Sequence, residues 1–131
     1  MNIQRYVSKL LITSFVIMAL LSPVANAAVE SITIDQAKRL YDQGAVFVDT
    51  RTYLERAFGV IKGSIAIKKN EVSEKINLLP ADKQKPLVIY CMRGVRAAVA
   101  ADKLDKRGYQ NVYVISDVGF GAWKDAGYPV E

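Results

Sequence analysis

The chain has no histidine and only one cysteine among its 131 residues. Without an imidazole, a Cys-His hydrolase or acyltransferase of the usual kind is excluded, because nothing is placed to take the nucleophile's proton. The same shortage leaves too few nitrogen and sulfur ligands for ordinary zinc chemistry. A lone cysteine cannot form an internal disulfide. Acidic residues are the minority charge, 13 against 18 basic, for a net +5. The basic residues form no stripe interleaved with aromatics, so nucleic acid is not an expected partner. Long apolar runs are scarce too. Leu10 to Leu21, broken by Thr13 and Ser14, falls short of the roughly 20 residues a membrane-spanning helix needs.

That run has another reading. It follows Arg5 and Lys9 and precedes Pro23 and the small-residue triplet Ala25-Asn26-Ala27. Charged, apolar and small-residue segments in that order predict a secretory signal over residues 1–27, cleaved after Ala27. The expected domain is then 28–131, exported to the periplasm with no stable membrane insertion after cleavage. A membrane anchor retained in place of the signal is the alternative. In an oxidising compartment an unpaired cysteine is either buried and inert or kept for its reactivity.

The domain reads as short strands alternating with helices. Strands are expected at Ser31–Ile34, Ala45–Val48, Ser64–Ile67, Leu87–Tyr90 and Val112–Ile115. The runs at 45–48 and 87–90 lack polar alternation, as in strands buried on both faces. Helices are expected from an Asp35 cap through Asp42, near Glu71–Leu78, over Ala97–Arg107 with Gly108 closing it, and at Gly121–Ala126. This alternation predicts an α/β fold, a central parallel sheet of about five strands with helices on both faces. Ligands in such folds gather beyond the carboxyl ends of the strands.

Cys91 stands directly beyond one such end, in Leu87-Val88-Ile89-Tyr90-Cys91-Met92-Arg93-Gly94-Val95-Arg96. A loop this short can turn the N–H groups of residues 92 to 96 inward around the sulfur as an anion nest. The following helix adds the positive end of its dipole. Gly94 permits a left-handed backbone, and Arg93 and Arg96 can each grip an oxyanion through paired hydrogen bonds. A thiol so placed loses its proton easily and becomes a nucleophile that needs no neighbouring base. Two reactions fit: sulfur transfer through a persulfide, and phosphoryl transfer through a cysteinyl phosphate. Cysteine phosphatases place five residues between cysteine and arginine, whereas only four separate Cys91 from Arg96. The tighter cradle suits a single bound sulfur atom better than a phosphoryl group.

The motif Cys91-Met92-Arg93-Gly94-Val95-Arg96 resembles the C-x-x-G-x-R loop of single-domain rhodaneses, the thiosulfate sulfurtransferase-like family. Two further segments carry the resemblance. Asp49, Arg51, Glu55, Gly59, Ile61 and Gly63 follow the spacing of the family's D-x-R-x-x-x-E-x-x-x-G-H-I-x-G stretch. Gly108 to Val112, then Gly119, Trp123, Gly127, Tyr128, Pro129 and Val130, match its closing segment. The resemblance spans essentially all of 28–131. It implies that Cys91 is the nucleophile and persulfide carrier. It also implies that the amides of Met92, Arg93, Gly94, Val95 and Arg96 stabilise thiolate and persulfide. Arg96, and secondarily Arg93, would receive the sulfonate of a donor such as thiosulfate. Asp49, Arg51 and Glu55 would support the loop, with Arg51 paired to Glu55 across a helical turn.

The implied partners are a small anionic sulfur donor and a cyanide, thiol or protein sulfur acceptor, with no metal or organic cofactor. A non-catalytic sulfur-relay module and a cysteine phosphatase or arsenate reductase stay open beside this reading. Three departures from the family pattern bear on substrate choice: Val60 replaces the histidine, Ala66 an asparagine, and Val118 the first of two glycines. Trp123 reads as core, and lysines 62, 68, 69, 83 and 85 as a solvated face.

Overall fold

A computed structural model describes residues 29–116 and 118–131, so the expected signal segment lies outside the described residues. In chain order the elements are β1 (Glu30–Ile32), α1 (Ile34–Asp42), β2 (Val46–Asp49), α2 (Tyr53–Arg56), β3 (Ile65–Ala66) and α3 (Val72–Lys75). A 3-10 turn (Ile76–Leu78), β4 (Leu87–Tyr90), α4 (Val95–Lys106), β5 (Val112–Ile115) and α5 (Phe120–Asp125) complete it. All five strands are parallel, in the spatial order β1-β5-β4-β2-β3. This is the expected α/β sheet with helices on both faces.

Strand periodicity sorts the core into two layers. In β4, Leu87 and Ile89 point to one side, where they meet Val48, Val112 and Val114 and the Ala97, Ala100, Ala101 and Leu104 face of α4. Val88 and Tyr90 point to the other, against Ala37 of α1 and Phe120 and Trp123 of α5. The alanines let α4 lie close to the sheet, and β4 at its centre is fully buried. On the second face Trp123, fully buried, packs against Tyr41, Phe47 and Tyr128 with ring centroids 5.1–5.4 Å apart. Trp123 is a core residue.

Several boundaries differ from expectation for local reasons. Thr33, not Asp35, caps α1: its Oγ1 accepts from Gln36 N–H at 3.2 Å while Gln36 Oε1 accepts from Thr33 N–H at 2.9 Å. This capping box pulls Ile34 into the helix and ends β1 at Ile32. Asp35 lies in the first turn and accepts the Tyr128 hydroxyl at 2.7 Å. The expected 71–78 helix divides into α3 and the 3-10 turn, and Glu71 makes no side-chain cap. Lys83 is half-buried over the Tyr109 ring at 3.8 Å rather than solvated like lysines 62, 68, 69 and 85.

The connections leaving β2 and β4 diverge. β2 leads outward to β3, while β4 leads through α4 to β5 on the other side. The crevice between neighbouring strand ends whose chains depart in opposite directions is where such folds bind ligands. Cys91 follows β4 and Asp49 ends β2, on either side of it.

Candidate active site

The end of β4 is pinned from both sides. Tyr90 O accepts from Thr50 N–H at 3.0 Å and from Thr50 Oγ1 at 2.9 Å. Cys91 O accepts from Phe120 N–H, the start of α5, at 3.0 Å. Gly119 makes this approach feasible, because a Cβ there would fall 1.9 Å from Cys91 O. The position needs glycine for space, not for its backbone angles.

With its base fixed, the loop closes over the sulfur. Gly94 adopts φ 92°, a left-handed value that suits glycine, and its N–H donates to Cys91 Sγ at 3.0 Å. Its carbonyl accepts from Ala98 N–H at 2.9 Å, which begins α4 at Val95, two residues earlier than the sequence suggests. Cys91 is only 2% exposed. Burial alone pushes its pKa up, but hydrogen bonds from the N–H groups of Ala97, Arg93, Gly94 and Arg96 outweigh it and leave the thiol below its ordinary value. The ring of amides therefore sits further along than expected and reaches Ala97. Met92 and Val95 turn their side chains to solvent, Val95 at 74% exposure. Arg93 is exposed.

The supporting residues pair differently from expectation. Arg51 is bound to Asp49, not to Glu55: its Nε donates to Oδ1 at 3.0 Å and its NH2 to Oδ2 at 2.8 Å. Arg51 lies in the bend before α2, outside the helix, so the helical spacing assumed for Arg51 and Glu55 does not apply. Arg51 also donates to Gly59 O at 2.7 Å and lies 4.1 Å from the centroid of the Phe120 ring. Both Asp49 and Arg51 are almost completely buried. The Arg51 pKa is lowered by burial, but Asp49 outweighs that and raises it overall, so the pair is a fixed ion pair.

Tyr90, which the sequence reading did not single out, completes this network. Its hydroxyl donates to Asp49 Oδ2 at 2.8 Å, accepts from Ile61 N–H at 3.0 Å and meets Ser64 Oγ at 2.8 Å. Burial first, then the Asp49 charge, pushes its pKa well up, so it stays protonated as a donor. Asp49 thus holds Arg51 and Tyr90, the residue immediately before Cys91.

Glu55 turns instead to the loop. It accepts from Arg96 NH1 and NH2 through Oε2 and Oε1, both at 2.7 Å. Arg96 holds the Glu55 pKa down to about 2, with help from Thr52. The Arg96 pKa is raised, first by Glu55 and further by the adjacent Cys91 sulfur. The helical turn expected across Arg51 and Glu55 is present as α2, but it starts at Tyr53 and leaves Arg51 outside. Its signal was in the sequence: Thr52-Tyr53-Leu54-Glu55 is a capping box, with Thr52 N–H on Glu55 Oε2 at 2.8 Å.

Taken together, these groups form a sulfur held by main-chain donors, one guanidinium beside it, and no side-chain base. Comparison with known proteins agrees in fold and in sequence. A model of the rhodanese-like domain matches residues 33–126. The thiosulfate sulfurtransferase GlpE of Pseudomonas fluorescens is 37% identical over 97 residues, covering 74% of this chain and 85% of that protein. A rhodanese-related protein from Thermoplasma volcanium superposes with a TM-score of 0.66 at 31% identity, over 78% of this chain and 97% of that one. A protein from Rhodopseudomonas palustris, described as a possible tyrosine phosphatase, reaches the same TM-score at 32% identity, over 81% and 87%.

Proposed function

The chain belongs to the rhodanese-like family and is a sulfurtransferase-type enzyme, and from that premise we propose that it moves sulfane sulfur through a persulfide on Cys91. The Cys91 thiolate attacks the outer sulfur of thiosulfate; a sulfur–sulfur bond forms to Cys91 as the donor's own sulfur–sulfur bond breaks, and sulfite departs with the electron pair. Cyanide or a thiolate then takes the terminal sulfur, giving thiocyanate or a new persulfide and restoring the thiolate. Neither step needs a general base, which suits a chain without histidine.

One observation carries the reading. The loop lowers the thiol's pKa chiefly with backbone donors, among them the Gly94 N–H at 3.0 Å, with the Arg96 guanidinium beside them. Fixed donors of this kind stabilise a sulfur anion without having to reorient as the charge forms. Arg96 supplies the charge that meets the donor's sulfonate, with Arg93 at the rim.

A phosphatase or arsenate reductase is the second reading, favoured by the structural likeness to the Rhodopseudomonas protein. The four-residue spacing between Cys91 and Arg96 opposes it. Assay with thiosulfate and cyanide, against an aryl phosphate, separates the two. Thiocyanate formation without phosphate release is expected, and the reverse would refute sulfur transfer.

Export belongs to the same proposal. The charged, apolar and small-residue order of residues 1–27 directs the protein to the periplasm, with cleavage after Ala27 leaving 28–131. Among the described residues no helix is long and apolar enough to cross a membrane. Mass measurement of protein recovered from a periplasmic fraction checks the cleavage site.

A further inference from the structure

A guanidinium grips a sulfonate or other oxyanion best through two parallel N–H bonds. On Arg96 those two donors already have an acceptor, since NH1 and NH2 both end on the Glu55 carboxylate at 2.7 Å. The NH1/NH2 end of Arg96 is therefore taken and its charge is partly offset, while its remaining N–H donors stay available. The pair lies at the rim, with side chains 29% and 30% exposed, so solvent and an incoming anion can reach it.

The helix does not require this arrangement. Glu55 serves the α2 capping box by accepting from Thr52 N–H and Thr52 Oγ1, each at 2.8 Å on Oε2. Glutamine fills that role as well as glutamate. Only the grip on Arg96 needs the negative charge and both carboxylate oxygens. α2 thus brings to the mouth an anion that competes with the anions the site is meant to receive.

We propose that Glu55 is a selectivity-setting positioning residue: it occupies the NH1/NH2 end of Arg96 and offsets its charge, so that a dianionic donor meets a weakened cation at the mouth. This rests on Cys91 being the sulfur-accepting nucleophile. Glu55 weakens the binding of thiosulfate, hastens the release of sulfite, and tilts the site towards reactants of lower charge. Its carboxylate stays ionised through the neutral range because its pKa is about 2, so the effect does not switch with pH there.

The test compares wild type with Glu55→Gln and Glu55→Asp. One readout is the KM for thiosulfate and the inhibition constant of sulfite. The other is the ratio of Cys91 alkylation rates by iodoacetate, an anion, and iodoacetamide, its neutral analogue. Glu55→Gln should lower both constants by about three- to tenfold and raise the alkylation ratio by a similar factor, the scale of one partly exposed charge. Glu55→Asp, which keeps the charge, should leave the ratio near wild type.

A KM that rises with no change in the alkylation ratio would overturn the proposal, since Glu55 would then only hold Arg96 in place. So would an equal rise in the ratio for Asp and Gln, because retaining the negative charge would then make no difference. If the wild type takes no sulfur from thiosulfate, the sulfurtransferase reading fails; the alkylation ratio then decides the role of Glu55 by itself.

Discussion

At the scale of single residues, the site depends on close approaches that leave little room for change. Gly119 is the tightest, its missing side chain giving way to Cys91 O. Gly119→Ala forces α5 away from the loop and should cost about 1–3 kcal/mol in a urea melt, the usual penalty of overpacking. It should also slow alkylation of Cys91, because the base of the loop shifts with it. Tyr90→Phe tests the buried network from below. Removing the hydroxyl leaves Ile61 N–H and Asp49 Oδ2 each short of a partner, so a loss of about 1–3 kcal/mol is expected by the same measurement. A neutral result would mean that water replaces the hydroxyl. Cys91→Ser keeps the loop's shape but not its nucleophile, and should abolish sulfur uptake while leaving the melt nearly unchanged.

At the scale of elements, the loop and α4 together make the thiol acidic. The folded pKa lies below the ordinary value, so the native thiolate forms at lower pH than in the unfolded chain. The rate of iodoacetamide alkylation should therefore rise through a lower midpoint in native protein than in urea. By linkage, this shift stabilises the fold above the unfolded thiol's pKa and is lost as pH falls through the folded one. A native midpoint at or above the unfolded one would contradict the geometry of Gly94 and Ala97.

Elements with strong local signals were legible in advance. β4 and β5 fall at Leu87–Tyr90 and Val112–Ile115 as their apolar runs indicate, and Gly108 follows the end of α4. What was not legible was pairing over distance. Glu55 and Arg96 are 41 positions apart, and no local pattern says that α2 will deliver one to the other. Tyr90 reads as one more apolar residue in a buried strand. Only the fold shows that its hydroxyl reaches Asp49, Ile61 and Ser64. The α2 turn itself was legible through Thr52-x-x-Glu55 but was obscured by its shortness.

At the scale of the whole molecule, five parallel strands set the Cys91 sulfur in the crevice where the chain's connections part. Among the described residues, the two carboxylates with clear shifts, Glu55 and Glu71, both fall from 4.5 to about 2, held down first by Arg96 and by Lys75 respectively. A depressed carboxylate stabilises the fold above its unfolded pKa, and that contribution vanishes as pH drops through the folded value. The melting temperature should hold steady from neutral pH to about 5 and decline between about 4.5 and 2. Glu71→Gln should flatten part of that decline, and an unaltered profile would count against the ion pair with Lys75.

Every part of the account converges on one sulfur whose anion is stabilised by main-chain donors. Intact mass spectrometry of the protein after thiosulfate treatment and desalting examines this without any assumption about the acceptor. The account predicts a gain of about 32 Da, one sulfur atom, that cyanide removes and that Cys91→Ser never acquires. An unchanged mass on a thiol that still alkylates fully would contradict it.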